Sequence, residues 1–223
     1  MAEASQGVEL VHIDDSLLVL DKPAGLLAVP GRGDDKHDCL SRRVQHLYPD
    51  ALIVHRLDMA TSGLMLMARG LKAQRALSKL FETRAVHKRY VAVVDGDMTL
   101  VAHTAKDTDG WHLIDMPIAL DWPRRPLRVI DATHGKPSQT RWRAVSFDAA
   151  TNTTRVELEP ITGRSHQLRV HLTALGYSIL GDALYAPLAA QTKAPRLLLH
   201  ACMLQFEHPA SGGLLHTHST APF

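Results

Sequence analysis

The stretch VHRLDMATSGLMLMAR, residues 54–69, sets His55, Arg56 and Asp58 directly ahead of a Thr61-Ser62-Gly63 turn and a run of large apolar residues. A carboxylate with a reference pKa of about 3.9 is ionised at neutral pH, and a guanidinium beside it keeps it so. Such a group can attack an electrophilic carbon or take a proton. The same Asp58 can equally be a turn residue whose side chain accepts backbone N–H groups near Ser62 and Gly63. In an extended segment residues two apart share a face, so Arg56 and Asp58 are expected to point the same way. A planar cation in that place either stacks on a flat partner or pairs with a local carboxylate or phosphate.

Other chemistries find less support. Ser62 and Ser165 are candidate hydroxyl nucleophiles for a hydrolase, yet neither has the strand-turn-helix context or oxyanion loop that role requires. There is no HExxH, no CxxC pair, no phosphate-binding glycine loop ending in Lys-Ser/Thr and no GxGxxG. Of the 14 histidines, His200, His208, His216 and His218 crowd the C-terminal end. No Cys or carboxylate completes a ligand set with them at standard spacing, so no metal is expected. His166 and His171, five residues apart, face different sides of a helix. Cys39 and Cys202 are expected to be reduced and buried or incidental, not a disulfide framework.

The positioning elements follow from periodicity. VELVHI (8–13) and LLVLDKP (17–23), separated by a DDS cluster, predict a hairpin, and AGLLAVPGRGDD after them predicts a loop. CLSRRVQHLYP predicts a short surface helix ending at Pro49. LKAQRALSKLFET (71–83) predicts an amphipathic helix with Leu71, Leu77, Leu80 and Phe81 inward and a basic outer face. KRYVAVVDG, QTRWRAVSF and TRVELEP read as strands, the last two paired. SHQLRVHLTALG reads as a helix with Leu168, Leu172 and Leu175 on one stripe and Gly176 as its stop. RLLLHACMLQF reads as a final buried strand. Strands outnumber helices without regular crossovers, so the expected class is α+β, a mixed, largely antiparallel sheet with flanking helices.

With 223 residues and 45% apolar content the chain can bury a core. Its apolar runs fall short of the roughly 20 residues that cross a bilayer, and MAEASQGVEL lacks a secretory layout, so no membrane association and a cytoplasmic location are expected. The net charge of +2 hides a segregation: residues 72–93 carry six Lys/Arg against one acid and 121–143 six against two, while 94–120 carry five Asp and one Lys. Such blocks suit either a polyanion held on one face or an ordinary solvated surface of mixed sign.

Taken together, DKPAGLLAVPG, VHRLDMATSGL, KRYVAVV, PITGRSHQLRVHLTALGYSILGDALY and APRLLLHACML resemble the RluA-type RNA pseudouridine synthases, in that family's order and over residues 8–208. HRLDxxTSG with GRxHQLRxH is a highly specific pair. The length leaves no room for the S4-like RNA-binding domain of many relatives, so the likeness is to the short branch, which modifies large-subunit ribosomal RNA and tRNA anticodon stem-loops. The resemblance implies one catalytic domain over residues 1–223, with room for two lobes around a central cleft. It makes Asp58 the catalytic carboxylate, Tyr90 the active-site aromatic and Arg164 the basic partner, with Leu198 or its neighbours lining the uracil pocket.

The implied reaction detaches uracil from the sugar at N1 and rejoins it through C5, with no oxidation, energy source or added atom. No cofactor is expected. The partner is RNA in the form of rRNA or tRNA stem-loops, with a monomer and no obligate protein partner. His55, Arg56, Lys88, Arg89, Arg124 and Arg125 are the candidate RNA contacts, Arg56 filling the gap that a flipped uridine leaves or simply pairing with charge. The segment 95–117 is longer and more acidic than the short branch usually has there. An RNA-binding protein of the same fold without catalysis is the alternative, and the joint presence of Asp58, Tyr90 and Arg164 speaks against it.

Overall fold

An unbroken apolar stretch in a strand has both faces to cover, and Leu64–Ala68 is such a stretch. In the computed structural model, which describes residues 8–31, 37–101 and 107–223, it forms the buried middle of a strand. In chain order the strands and helices are β1 (Glu9–Ile13), β2 (Leu17–Lys22), α1 (Leu40–Leu47), β3 (Ala51–Ile53), β4 (Ser62–Arg69), α2 (Gly70–Glu82), β5 (His87–Asp95), β6 (His112–Asp115), β7 (Ile118–Leu120), β8 (Arg128–Ile130), β9 (Gln139–Asp148), β10 (Thr153–Pro160), α3 (Gln167–Ala174), α4 (Leu188–Gln191), β11 (Leu199–Glu207) and β12 (Leu214–His218). They divide into two compact units, Met1–Lys88 with His200–Phe223, and Arg89–Leu199. The expected loop over 24–35 and the acidic segment 95–117 lie partly, and the N-terminal MAEASQG wholly, outside the described residues.

In the first unit β1 and β2 form the expected hairpin, β2 and β3 run antiparallel to β4, and β12 runs antiparallel to β11. β11 meets β4 in parallel through His200 with Ser62 and Ala201 with Gly63, which makes the sheet mixed. Leu17, Val19, Leu64, Leu66, Leu77, Leu204 and Phe206 share one core. Burying each leucine fully is worth about 1.5–3 kcal/mol. α2 covers this core with Ala73 and Leu77 and with half-buried Leu80 and Phe81. That i, i+4, i+7, i+8 stripe corrects the expectation for Leu71, which is 64% exposed because the helix starts at Gly70 and turns its second residue outward. β12 was not foreseen: RLLLHACMLQF is not the last strand, because LLHTH returns after a PASGG turn.

In the second unit β5, β10, β9 and β6 lie side by side, all antiparallel. Along β10, Thr154, Val156, Leu158 and Pro160 face inward while Glu157 and Glu159 sit opposite Arg143 and Arg141 of β9. Strand alternation thus sets apolar burial on one face and cross-strand ion pairs on the other. The three-residue strands β7 and β8 make a separate hairpin. β6, β7 and β8 are too short for periodicity to reveal them. α3 ends as expected, with Gly176 at φ +90° donating its N–H to Thr173 O. The α+β class, mixed and largely antiparallel, is as expected. Among the described residues no helix is long and apolar enough to cross a membrane.

Candidate active site

In the first unit, residues 55–58 lie outside the helices and ladders, and the chain turns where Asp58 O accepts the Thr61 N–H at 3.1 Å. Leu57 is buried, Arg56 exposed and Asp58 half-buried, so Arg56 and Asp58 do face outward together. His55 points inward. Its Nε2 accepts the Leu66 N–H of β4 at 2.8 Å, and its ring stacks on Phe81 of α2 with centroids 4.5 Å apart. Burial, with Lys88 adding repulsion, pushes its pKa down to about 3, so the ring is neutral and acts as an acceptor. The structure therefore gives this candidate RNA contact a bracing position, tying the HRLD segment to strand and helix at once.

The other side of the turn is braced by a residue the site reading missed. Lys22, at the end of β2, is fully buried. Its ammonium donates to Pro23 O at 2.7 Å, Leu26 O at 2.8 Å and Met59 O at 3.0 Å, and Met59 O also accepts the Gly25 N–H at 2.9 Å. Three carbonyls satisfy the three N–H bonds of one buried cation. Asp58 thus precedes a residue locked from two sides. The signal was available as a lysine closing the apolar run LLVL ahead of PAG.

Gly63 shows why the turn needs its TSG. At φ +107° it lies so close to β11 that an added Cβ would stand 2.3 Å from Ala201 O. Beside it, Ser62 Oγ and His200 Nδ1 are 2.9 Å apart, His200 Nε2 and Ser219 Oγ 2.9 Å apart, and Ser219 Oγ donates to Asp21. Because the Ser219 hydroxyl gives its proton to the Asp21 carboxylate, its oxygen accepts from His200 Nε2–H. This resembles a hydrolase relay in sequence only: Ser62 is 3% and His200 1% exposed, which seals the hydroxyl from any substrate. Ser165, the other candidate nucleophile, follows Arg164 in an exposed turn.

In the second unit Tyr90 sits on β5 opposite Leu158, half-buried and in phase with buried Ala92 and Val94. Leu198 is half-buried against Leu180, Ala186 and Ala190, and accepts the Val93 N–H at 3.1 Å. Arg164 lies in the turn before α3, its Nε donating to Pro137 O at 3.3 Å. That turn is held by the buried amide of Gln167, whose Oε1 accepts the Arg164 N–H at 3.0 Å and the Thr162 hydroxyl at 2.7 Å, and whose Nε2 donates to Gln139 O and Thr140 Oγ1, each at 2.9 Å. His166 takes a left-handed φ of 58° and bonds the Tyr185 hydroxyl at 2.5 Å, while buried His171 bonds Thr140 Oγ1 and Met116 O. The two histidines do serve different sides. Arg169 and Asp182 form a buried bidentate pair at 2.8 and 2.6 Å.

The basic residues are more committed than their charge suggests. Arg141 pairs with Asp107 at 2.6 Å and Glu159 at 3.3 Å, and Arg143 with Glu157 at 2.6 Å. Arg89, Arg141 and Arg143 all lie over the Trp111 ring, 4.7–5.4 Å from its centroid. The acidic 95–117 segment therefore supplies counter-charges to the block that follows it. Arg124 pairs with Asp121 at 2.6 Å. Lys88 is half-buried, and burial followed by repulsion from Arg84 lowers its pKa.

Of the C-terminal histidines, His208 donates to Asp14 at 3.0 Å, as His12 does at 2.8 Å, while exposed His216 and His218 lie on β12. Among the described residues no group of three or more His, Cys, Asp or Glu side chains is placed to hold a metal ion. Cys39 and Cys202 are both buried and unbridged.

Residues 16–174 match the family model described as RNA pseudouridylate synthase. The chain is 47% identical over 214 residues to the dual-specificity RNA pseudouridine synthase RluA of Escherichia coli (strain K12), covering 96% of this chain and 93% of that protein. It is 46% identical over 206 residues to the protein of the same name in Vibrio vulnificus (strain CMCP6), covering 91% and 79%. Among solved structures it is similar to human RNA pseudouridylate synthase domain containing 1, with a TM-score of 0.77 and 26% identity over 97% of this chain and 84% of that one.

Proposed function

Because this chain belongs to the RNA pseudouridylate synthase family and is an RNA-modifying isomerase, we propose that Asp58 is its catalytic carboxylate and that its substrates are uridines in folded loops of both rRNA and tRNA. The dual-specificity name of its bacterial relatives supports the two-substrate reading. The observation that carries the catalytic assignment is the bracing of one half-buried carboxylate: His55 fixes the approach to Asp58, Lys22 and Gly25 fix Met59 after it, and Gly63 fixes the exit. A backbone immobilised on three sides around an outward Asp is what a reacting group needs, because misplacement by ~1 Å costs roughly 100-fold in rate.

The chemistry assigns each group a part. Asp58 acts on the sugar, as a nucleophile at C1′ or as the base that removes a sugar proton, and the bond from C1′ to N1 breaks. The detached uracil turns, C5 bonds to C1′ as the Asp58 oxygen leaves that carbon or the sugar proton returns, the C5 proton leaves and N1 gains one, so atoms and electrons balance without a co-reactant. Tyr90 offers a flat face for the free base and a phenol that can move the C5 proton. Arg164 supplies positive charge to the reaction, and Leu198 is an apolar wall that keeps water from the detached base. Arg56, exposed on the face Asp58 shares, fills the place of the flipped nucleotide. Lys88, Arg89 and Arg125 contribute phosphate contacts, whereas Arg124 is committed to Asp121. The protein acts as a monomer in the cytoplasm.

Incubating the protein with total RNA from a strain lacking it, then mapping pseudouridine by carbodiimide-blocked reverse transcription, tests the reading. New stops in both rRNA and tRNA are expected. Stops in one class alone would reduce the substrate range, and none at all would leave an RNA-binding protein of this fold.

A further inference from the structure

Three tryptophans occur in the chain, and two of them, Trp111 and Trp142, are 3% and 0% exposed. The third, Trp122, is 66% exposed in the DWPRRP loop that joins β7 to β8. A large indole left in water at a loop tip costs solvation without repaying the core, so its setting decides whether it is incidental.

The setting is built. Asp121, only 9% exposed, accepts the Arg124 Nε at 2.7 Å and the Arg124 N–H at 3.3 Å. The Asp121 N–H donates to Leu127 O and the Leu127 N–H to Arg124 O, each at 3.0 Å, which closes the loop at its base. Pro123 and Pro126 fix φ on either side of the two arginines. Arg125 donates from Nε to Trp122 O at 3.2 Å and lays its guanidinium 4.8 Å from the centroid of the Trp122 ring. One face of the indole therefore carries a cation already in place, and the loop that presents it needs no ordering when a ligand arrives.

An aromatic ring backed by an arginine in a basic stretch matches the chemistry of an unpaired nucleotide, with a π face for the base and positive charge for its phosphate. We propose that Trp122 is a stacking platform for an unpaired base of the RNA substrate, held ready by Arg125 and distinct from the uridine that reacts. The proposal rests on the reading of this chain as an RNA pseudouridine synthase and adds a residue that selects RNAs by the loop nucleotides they leave unpaired. Arg124, paired with Asp121, braces the platform, whereas Arg125 belongs to the binding surface itself.

All three tryptophans contribute to the emission, but only the exposed Trp122 is open to a ligand that would quench it by stacking. Titrating wild type with a substrate stem-loop should quench it, and Trp122→Ala should abolish the quench. Losing one stacked base should weaken RNA affinity of Trp122→Ala roughly 5- to 150-fold, leaving turnover at saturating RNA unchanged, while Trp122→Phe keeps most of the affinity. Unchanged affinity of Trp122→Ala with wild-type turnover on the same RNA would overturn the platform alone and point to a protein contact for the indole. Wild type that forms no pseudouridine on any RNA would overturn the synthase reading and the platform with it.

Discussion

Replacing Lys22 by Met keeps the length of the side chain and removes the ammonium that three carbonyls share. Pro23 O and Leu26 O would lose this donor, and Met59 O would keep only the Gly25 N–H. A buried acceptor left without its donor costs about 1–3 kcal/mol. Relaxation of the 23–26 loop recovers part of that cost, while the lost desolvation of the lysine returns some more. A net destabilisation of about 3–5 kcal/mol is therefore expected, which for a chain of this size lowers Tm by roughly 6–20 °C. Circular dichroism during heating and in urea measures it. The second consequence is catalytic: Met59, freed on one side, lets Asp58 shift, and turnover measured well below the variant's Tm should fall about 100-fold with little change in KM. A variant within about 1 kcal/mol of wild type in stability, or one that turns over normally, would refute the claim that the buried cation holds the Asp58 turn.

Asp58→Asn keeps shape and loses charge, so it should fold and bind RNA normally yet form no pseudouridine; retention of turnover within about tenfold, a barrier change of only ~1.4 kcal/mol, would exclude Asp58 as the reacting group. His55 has a folded pKa of about 3, below its unfolded value, so the unfolded chain binds the extra proton first. Its contribution to stability is complete above about pH 6.5 and is lost as pH falls from there toward 3, by about 2 kcal/mol between pH 7 and 5. His55→Gln, compared with wild type in urea at the two pH values, should remove that slope, and an equal slope in both proteins would show that another group carries it. Arg125→Ala should flatten the dependence of log affinity on log salt by about 0.7 if it meets a single-stranded phosphate, whereas Arg124→Ala, already paired with Asp121, should change the slope less. Identical slopes for the two variants would contradict that division.

The elements that sequence made legible are those whose own stretch of chain carries a pattern. β4 shows as an unbroken apolar run and the β1–β2 hairpin as two apolar runs about a turn cluster, while α2, the paired strands β9 and β10, and α3 with its Gly176 stop repeat an apolar spacing. β6, β7, β8 and β12 do not, and their existence depends on partners far along the chain: β6 is defined by β9, and β12 by β11. The outward phase of Arg56 and Asp58 was legible because alternation needs only three residues, with Leu57 inward between them. The part His55 plays was not. Nothing in HRLD shows that a ring eleven residues ahead of Leu66 will accept its amide proton, because that contact exists only once the chain doubles back on β4.

The charged blocks show the same divide between composition and geometry. Counting residues gives two basic segments and one acidic segment, which suit either a polyanion held on one face or a solvated surface of mixed sign. Pairing dissolves much of that face: Arg141 and Arg143 are spent on Asp107, Glu157 and Glu159, and Arg124 on Asp121. These pairs brace a sheet edge and a loop. What they leave for RNA is a sparser set, with Arg56 on the face of Asp58 in one unit and Arg125 against Trp122 in the other. Both are planar cations on immobilised backbone, suited to stacking as well as to charge. A surface of this kind gains little from the general polyanion attraction that any basic block provides. On the proposed reading its selectivity comes from nucleotides already unpaired in a folded loop, where a base can reach an aromatic face and a uridine can leave its stack at least cost.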